Sequence, residues 1–145
     1  MHPPLRSRRG SALVEFALLL PFLLLLSIMV IELGRAVQRY NATAKTVRDA
    51  VRYLSTQTPG THVTEARNLI VYGNTAGTGS PLDPKLTASN VPTPTWQTAG
   101  ASPLINTVTI RVTGYTFQPM LASVFGTSFP TITYSDISAT MRSPI

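Results

Sequence analysis

The chain has 145 residues, no cysteine and a formal net charge of +6. The lack of cysteine excludes disulfides, iron–sulfur clusters and thiolate zinc sites. Eight basic and three acidic residues occur through Arg52, whereas four basic and three acidic residues follow it. The second part of the chain is therefore nearly neutral and offers no patch for nucleic acid. This distribution favours a small envelope protein with one modest domain after an N-terminal anchor.

An apolar run near the N-terminus predicts a membrane-spanning helix over residues 11–32. Residues 17–31 contain no charge, and the run extends back to Ser11 with Glu15 as its one interruption. These residues would form about 31 Å of helix, enough to cross a hydrocarbon core. Pro21 lies inside the run, where it removes a backbone donor and predicts a kink.

The segment before the run is basic and short. Arg6, Arg8 and Arg9 precede Gly10 and Ser11, and Glu15 is the fifth residue after Gly10. A carboxylate inside a membrane segment costs free energy, so it usually has a partner or a task. One interpretation is that Glu15 reaches the headgroup layer. The other is that it pairs with a charge when subunits assemble.

The second interpretation comes with a resemblance to the processing site of type IV pilins and pseudopilins. In that family a prepilin peptidase cuts after glycine, and the fifth residue of the mature chain is Glu. The resemblance implies a cut between Gly10 and Ser11. It also implies that Glu15, with the adjoining Phe16, sets assembly and register by pairing with a mature α-amine. A proline such as Pro21 would ease transfer from the bilayer to a filament.

A longer string narrows the resemblance. It reads Arg-Arg-Gly-Ser-Ala-Leu-Val-Glu-Phe-Ala-Leu-Leu-Leu-Pro-Phe-Leu-Leu-Leu-Leu from Arg8, followed by Ile31-Glu32-Leu33-Gly34-Arg35. This resembles the TadE-like family of tight-adherence (Flp) pilus components over about the first forty residues. The resemblance implies a minor, pseudopilin-like membrane protein. Its implied partners are the inner membrane, a prepilin peptidase, and other pilin, pseudopilin and Tad assembly subunits, with no cofactor.

Topology is ambiguous from charge alone, because basic residues flank both sides of the apolar run. The pilin resemblance implies a single pass through the bacterial inner membrane. The basic leader, residues 1–10, would be cytoplasmic, and residues 57–145 would form an extracytoplasmic domain. After processing, the protein would join or prime a pilus or secretion filament. Glu32 is expected to be a solvated charge at the outer boundary.

An amphipathic helix is predicted to continue from the membrane segment over residues 33–56. Its apolar positions recur at helical spacing: Leu33, Val37, Tyr40, Ala44, Val47, Val51 and Leu54. This stripe can pack on the following domain or form a seam with neighbouring subunits. For its C-terminal half we expect packing on the domain.

Shorter elements are predicted after Pro59-Gly60, which ends the long helix. Thr64 is expected to cap a helix over residues 65–72 that stops at Gly73. Residues 73–84 should form an exposed loop, residues 86–91 a short strand, and Trp96 should cover the edge of the core.

The remaining residues predict an antiparallel sheet. Residues 106–115 alternate apolar and polar side chains, as a half-buried strand does. Residues 117–125 should form a helical turn ending at Gly126, and residues 131–141 a strand that pairs antiparallel with 106–115. The predicted fold class is α+β and pilin-like, with a long helix followed by a small antiparallel sheet domain.

Catalytic chemistry is hard to assemble from this sequence. The histidines are His2 and His62, and a serine-protease triad would need His62 with the distant Asp83 or Asp136. No phosphate-binding loop is present, and we expect neither an enzyme nor a metal site.

Two other functions stay open. One is an uncut, signal-anchored envelope protein whose exported domain binds a partner or ligand. The other is ordinary secretion with cleavage after Ala42-Thr43-Ala44, but that site lies too far beyond the apolar run and behind Arg35 and Arg39.

Overall fold

A computed structural model describes residues 9–144 of the chain. These residues form two compact units, one of residues 9–35 with 119–130 and the other of residues 36–118 with 131–144. His2, Arg6 and Arg8 of the predicted leader lie outside the described residues.

The first element is a single long helix, α1, Arg9–Ser55. It confirms the helix that the apolar run and the amphipathic stripe predicted together. The helix continues through Pro21, whose kink stays a prediction. A second helix, α2, spans Val63–Tyr72 and ends at Gly73, as predicted; Gly73 adopts a left-handed φ of 76° and donates its N–H to the Leu69 carbonyl.

Within residues 9–144, seven strands follow. In chain order they are β1 Thr95–Ala99, β2 Ile105–Val112, β3 Thr116–Phe117, β4 Ser123–Val124, β5 Thr127–Ser128, β6 Ile132–Thr133 and β7 Ile137–Arg142. The main sheet has the order β1-β2-β7, and both pairings are antiparallel. Val108 pairs with Met141 and Val112 with Ile137 in the register of β2 and β7. The α+β class is confirmed, and so is the predicted antiparallel pairing for residues 137–141. The single strand predicted over 131–141 is wrong for its first part, because β6 is separate from β7 and pairs with β3.

The core of the second unit lies between the C-terminal turns of α1 and the sheet. Helix α1 contributes Val47, Ala50, Val51 and Leu54, and β2 contributes its alternating apolar residues. The C-terminal half of the predicted stripe is therefore buried on the domain, as expected, because helical spacing keeps those side chains on one face. Trp96 packs at the edge of this core, which confirms its predicted cover role.

Two predictions about local structure are wrong near α2. Thr64 does not cap the helix; His62 precedes it with a left-handed φ of 55°, and the His62 carbonyl accepts from the Ala66 N–H. Residues 86–91 do not form a strand but contain a 3-10 turn, Ala88–Asn90. Thr87 and Asn90 exchange side-chain and backbone hydrogen bonds there, which closes the turn locally.

The helical turn predicted for residues 117–125 is also wrong. This segment instead contains β3 and β4, and β4 pairs with β5 in a hairpin. Phe125 and Gly126, at the tip, have φ values of 49° and 79°. Positive φ at both central residues is the geometry of a type I′ hairpin turn, so Gly126 reverses the chain here and does not end a helix.

Candidate functional site

The predicted processing residues lie in the first turns of α1. Gly10, Ser11, Glu15 and Phe16 are all exposed. The Ser11 hydroxyl donates to Oε1 of Glu15 at 3.1 Å, across one helical turn. A Cβ added at Gly10 would meet no atom within 4 Å. The junction and the carboxylate are therefore accessible on one short stretch of helix.

The next five turns of α1 have an apolar surface on every side. Most leucine, phenylalanine, valine and methionine side chains from Leu13 to Ile31 are exposed around the helix, and Leu25 and Ile28 are half-buried. Of the described helices, α1 alone is long and apolar enough to cross a membrane. The one hydroxyl in the middle of this stretch, on Ser27, donates to the Leu23 carbonyl at 2.8 Å. A helix that is apolar all round and unburied suits a lipid environment.

Glu32 ends this apolar stretch, and the expectation of a solvated charge is wrong. Its side chain is buried, with 7% of the residue exposed. Nη1 of Arg35 contacts both carboxylate oxygens at 2.9 Å, and the backbone N–H of Met120 donates to Oε1 at 3.3 Å. No local pattern around Glu32 predicts this burial, because the Met120 donor is 88 positions away.

A second buried carboxylate, Asp83, organises a polar cluster in the other unit. Asp83 is 6% exposed. Its Oδ2 accepts from Nη1 of Arg39 at 2.5 Å and from the Tyr115 hydroxyl at 2.8 Å, and its Oδ1 accepts from the Lys85 N–H at 2.8 Å. We call Arg39, Asp83, Tyr115 and Tyr134 the Asp83 cluster. It borders a cavity of about 50 Å³, which has room for ordered water.

The tyrosines of the Asp83 cluster are hydrogen-bond donors at neutral pH. Burial raises the pKa of Tyr115, and the neighbouring Asp83 raises it further. Burial also raises the pKa of Tyr134, although Arg39 opposes that rise. The Tyr134 hydroxyl donates to the Ala36 carbonyl at 2.6 Å, and its ring lies 5.0 Å from that of Tyr115. The cluster therefore binds α1 to the loop and strands of its unit.

The histidine considered for a catalytic triad has a different neighbour. Nδ1 of His62 lies 3.1 Å from Oε1 of Glu65, and both side chains are on the surface. The pKa of Glu65 is lowered, first by its own backbone N–H and then by His62. Asp83 is engaged by Arg39 and Tyr115, so the His62–Asp83 pair does not form. Among residues 9–144 no group of three or more acidic or histidine side chains could hold a metal ion.

Comparison with known proteins gives one match. The model of the TadE-like protein family matches residues 10–52, which confirms the resemblance drawn from the N-terminal string. The matched range includes Gly10, Ser11, Glu15 and Phe16, as well as Pro21. It ends before α2, so the sheet domain lies outside it. No curated protein and no solved structure matches the chain.

Proposed function

We propose that this chain, which is TadE-like over residues 10–52, is a pseudopilin-like component of a tight-adherence (Flp) pilus or a related type IV filament system. A prepilin peptidase processes it after Gly10. Its partners are the inner membrane, the peptidase, and other pilin, pseudopilin and Tad assembly subunits. Its work is structural and not enzymatic.

The observation that carries the proposal is the arrangement of the first turns of α1. An exposed Gly10-Ser11 junction and an exposed carboxylate at Glu15 come directly before a helix surface that is apolar on every side. A peptidase needs access to the junction, and a membrane-embedded subunit needs the apolar surface. In the proposed topology the leader is cytoplasmic and the sheet domain is extracytoplasmic.

Glu15 has a specific role in this proposal. The Ser11 hydroxyl donates to one oxygen of its carboxylate, and in this proposal the other oxygen accepts from an amine. Cutting after Gly10 would create that amine on Ser11 of each subunit. Pairing the amine of one subunit with Glu15 of a neighbour would neutralise both charges in the membrane and set the axial register.

The amino-terminal residue of the protein recovered from membranes tests the processing step. Ser11 at the terminus supports the proposal. Met1 would instead indicate an uncut signal anchor, and Lys45 a secreted product. Cleavage before Lys45 would cut within α1, next to the buried Thr43.

Gly10→Ala should block cleavage while leaving membrane insertion intact. Gly34→Ala is a matched control, since both glycines lie in α1 and an added Cβ meets nothing within 4 Å at either position. Both variants therefore change helix propensity without a clash. Normal cleavage of the Gly10→Ala protein would contradict the proposed site.

A further inference from the structure

The hairpin that the sequence did not predict exposes large apolar side chains. We call residues 119–130, which contain β4 and β5, the apolar hairpin. Met120 is 72% exposed and Phe125 is 67% exposed, and Leu121 is exposed beside them. Single apolar residues on a surface are ordinary, but three on one short hairpin form a patch that calls for a partner.

The chain around the apolar hairpin carries no charge. Between Arg111 and Asp136 there is no Asp, Glu, Lys, Arg or His. Hairpin tips in water are usually built from polar residues with glycine, and edge strands commonly carry charges that prevent pairing. A long uncharged stretch is compatible with entry into an apolar medium, where each charge would cost several kcal/mol.

The apolar hairpin belongs to the same compact unit as the membrane segment of α1. The Met120 N–H donates to Glu32, the residue directly after the apolar run. Leu25 and Ile28 lie on the Glu32 face of the helix and are half-buried, whereas most apolar side chains around them are exposed. Among the described residues, 119–130 form one compact unit with α1 up to Arg35. The contact between Met120 and Glu32, together with this grouping, places the hairpin beside this end of the apolar run.

Phenylalanine is an unusual residue at the tip of a water-exposed hairpin. Phe125 has a φ of 49°, a conformation that side chains other than glycine, asparagine and aspartate rarely adopt. Asparagine followed by glycine is the sequence favoured in a type I′ turn. A phenylalanine held there with its ring exposed indicates a function for the ring outside the protein.

The backbone of the hairpin is suited to the membrane interface. Ser123 pairs with Ser128 and Val124 with Thr127, and the Phe129 N–H donates to the Ala122 carbonyl at 3.0 Å. These bonds satisfy polar groups that would otherwise need water. Phenylalanine, leucine and methionine then supply the apolar contact that seats a segment in the headgroup and acyl boundary.

We propose that the apolar hairpin is a second membrane contact, seated in the interfacial layer of the bilayer that α1 crosses. The partner of the apolar hairpin is lipid, because the hairpin is uncharged and adjoins the apolar surface of α1 at Glu32. The inference requires α1 to be inserted. It does not require cleavage at Gly10 or entry into a filament.

Single-cysteine variants test this contact directly, since the chain has no cysteine of its own. Full-length Phe125→Cys is labelled with an environment-sensitive fluorophore and reconstituted in phosphatidylcholine vesicles, with doxyl-labelled lipids as quenchers. Met29→Cys, in the apolar run, is the positive control. Leu104→Cys, an exposed leucine in the turn between β1 and β2, is the water-exposed control. We expect blue-shifted emission and quenching by shallow doxyl lipids at position 125, and neither effect at 104.

Two results would overturn the proposal. Emission at position 125 like that at 104 would place the hairpin in water. Emission shielded from water but insensitive to doxyl lipid would indicate a protein partner, such as a second copy of the chain. Because the label could itself alter the tip, Leu121→Cys is measured too, with and without Phe125→Asn. Asparagine suits the left-handed turn, so it should keep the hairpin while lowering the quenching at 121.

Discussion

Arg39 of α1 and Asp83 of the loop after α2 form an ion pair at 2.5 Å across 44 positions of sequence. The Tyr115 hydroxyl donates to the same carboxylate oxygen. One buried carboxylate thus fixes the helix, the loop and the segment after β2 together. The guanidinium of Arg39 also lies 5.7 Å from the centre of the Phe117 ring, which adds a contact from β3.

Asp83→Asn should lower the free energy of unfolding by about 1–3 kcal/mol. The substitution keeps the shape of the side chain but leaves Arg39 without its counter-charge. Unfolding of the full-length chain in detergent can be followed by the fluorescence of Trp96, the single tryptophan, which packs at the core edge.

Asp49→Asn is the matched control for that change, because Asp49 lies exposed on α1. Its effect should stay within about 0.5 kcal/mol. A double-mutant cycle with Arg39→Met then measures the pair itself, with an expected coupling of about 1 kcal/mol or more. Equal stability of the Asp49 and Asp83 variants would show that the pair contributes nothing.

Alkaline pH should destabilise the domain through its buried tyrosines. The ordinary tyrosine pKa is 10.0, and those of Tyr115 and Tyr134 are raised in the folded chain. The unfolded chain therefore loses these protons first as pH rises. The stabilisation is fully present below about pH 10 and is lost above it, by about 1.4 kcal/mol per pH unit for each group.

Tyr115→Phe should remove the contribution of Tyr115 to the fall of the unfolding free energy with rising pH. At neutral pH it should also cost about 1–2 kcal/mol through the lost hydrogen bond to Asp83. The prediction fails if Tyr115→Phe shows the wild-type slope between about pH 10 and 12.

Val51→Ala and Val37→Ala should differ sharply, although both residues belong to one helical stripe. Val51 is fully buried against the sheet, whereas Val37 is exposed. Removing two buried methyl groups from Val51 should cost about 2 kcal/mol, with a cavity contribution included. The cost at Val37 should be within about 0.5 kcal/mol. Comparable losses in denaturant unfolding would mean that the stripe is buried along its whole length.

Glu15→Ala should insert in the membrane and be cut to Ser11, yet leave cells with few or no pili. The reason is the loss of the carboxylate that would pair with the mature amine of a neighbour. Ser11→Ala is the control, since it removes the hydroxyl that contacts Glu15 and keeps the carboxylate. Pilus counts by electron microscopy, with amino-terminal sequencing alongside, give the result. Normal piliation in the Glu15→Ala strain would exclude the pairing role.

The elements whose formation depends on the spacing of nearby residues were predicted correctly from the sequence. The all-apolar run and the stripe predicted α1, and the alternation of Val108, Ile110 and Val112 predicted the inward face of β2. The TadE-like string at Gly10 and Glu15 was equally local. The burial of Glu32 and Asp83 was not predictable in this way, because their partners Met120, Arg39 and Tyr115 come from distant segments.

The hairpin at Phe125 shows a different limit. A Pro-Met-Leu-Ala-Ser-Val-Phe segment followed by glycine has apolar spacing that suits a helical turn. It lacks the asparagine that usually precedes glycine in a type I′ turn. The turn is set by pairing between β4 and β5, and by attachment of Met120 to Glu32. Tertiary contacts outweighed local preference here.

In the core of the sheet domain, residues of the N-terminal helix α1 pack with residues of the last strand, β7. Val47 and Leu54 come from α1, Ile137 comes from β7, and the buried Ser143 donates its N–H to the Asn106 carbonyl. Synthesis runs from the N-terminus, so the apolar part of α1 leaves the ribosome long before residues 137–143 exist. The core cannot close until those residues have been made. In the proposed topology, insertion of the anchor therefore precedes folding of the domain, which would cross the membrane as an unfolded chain and fold on the far side.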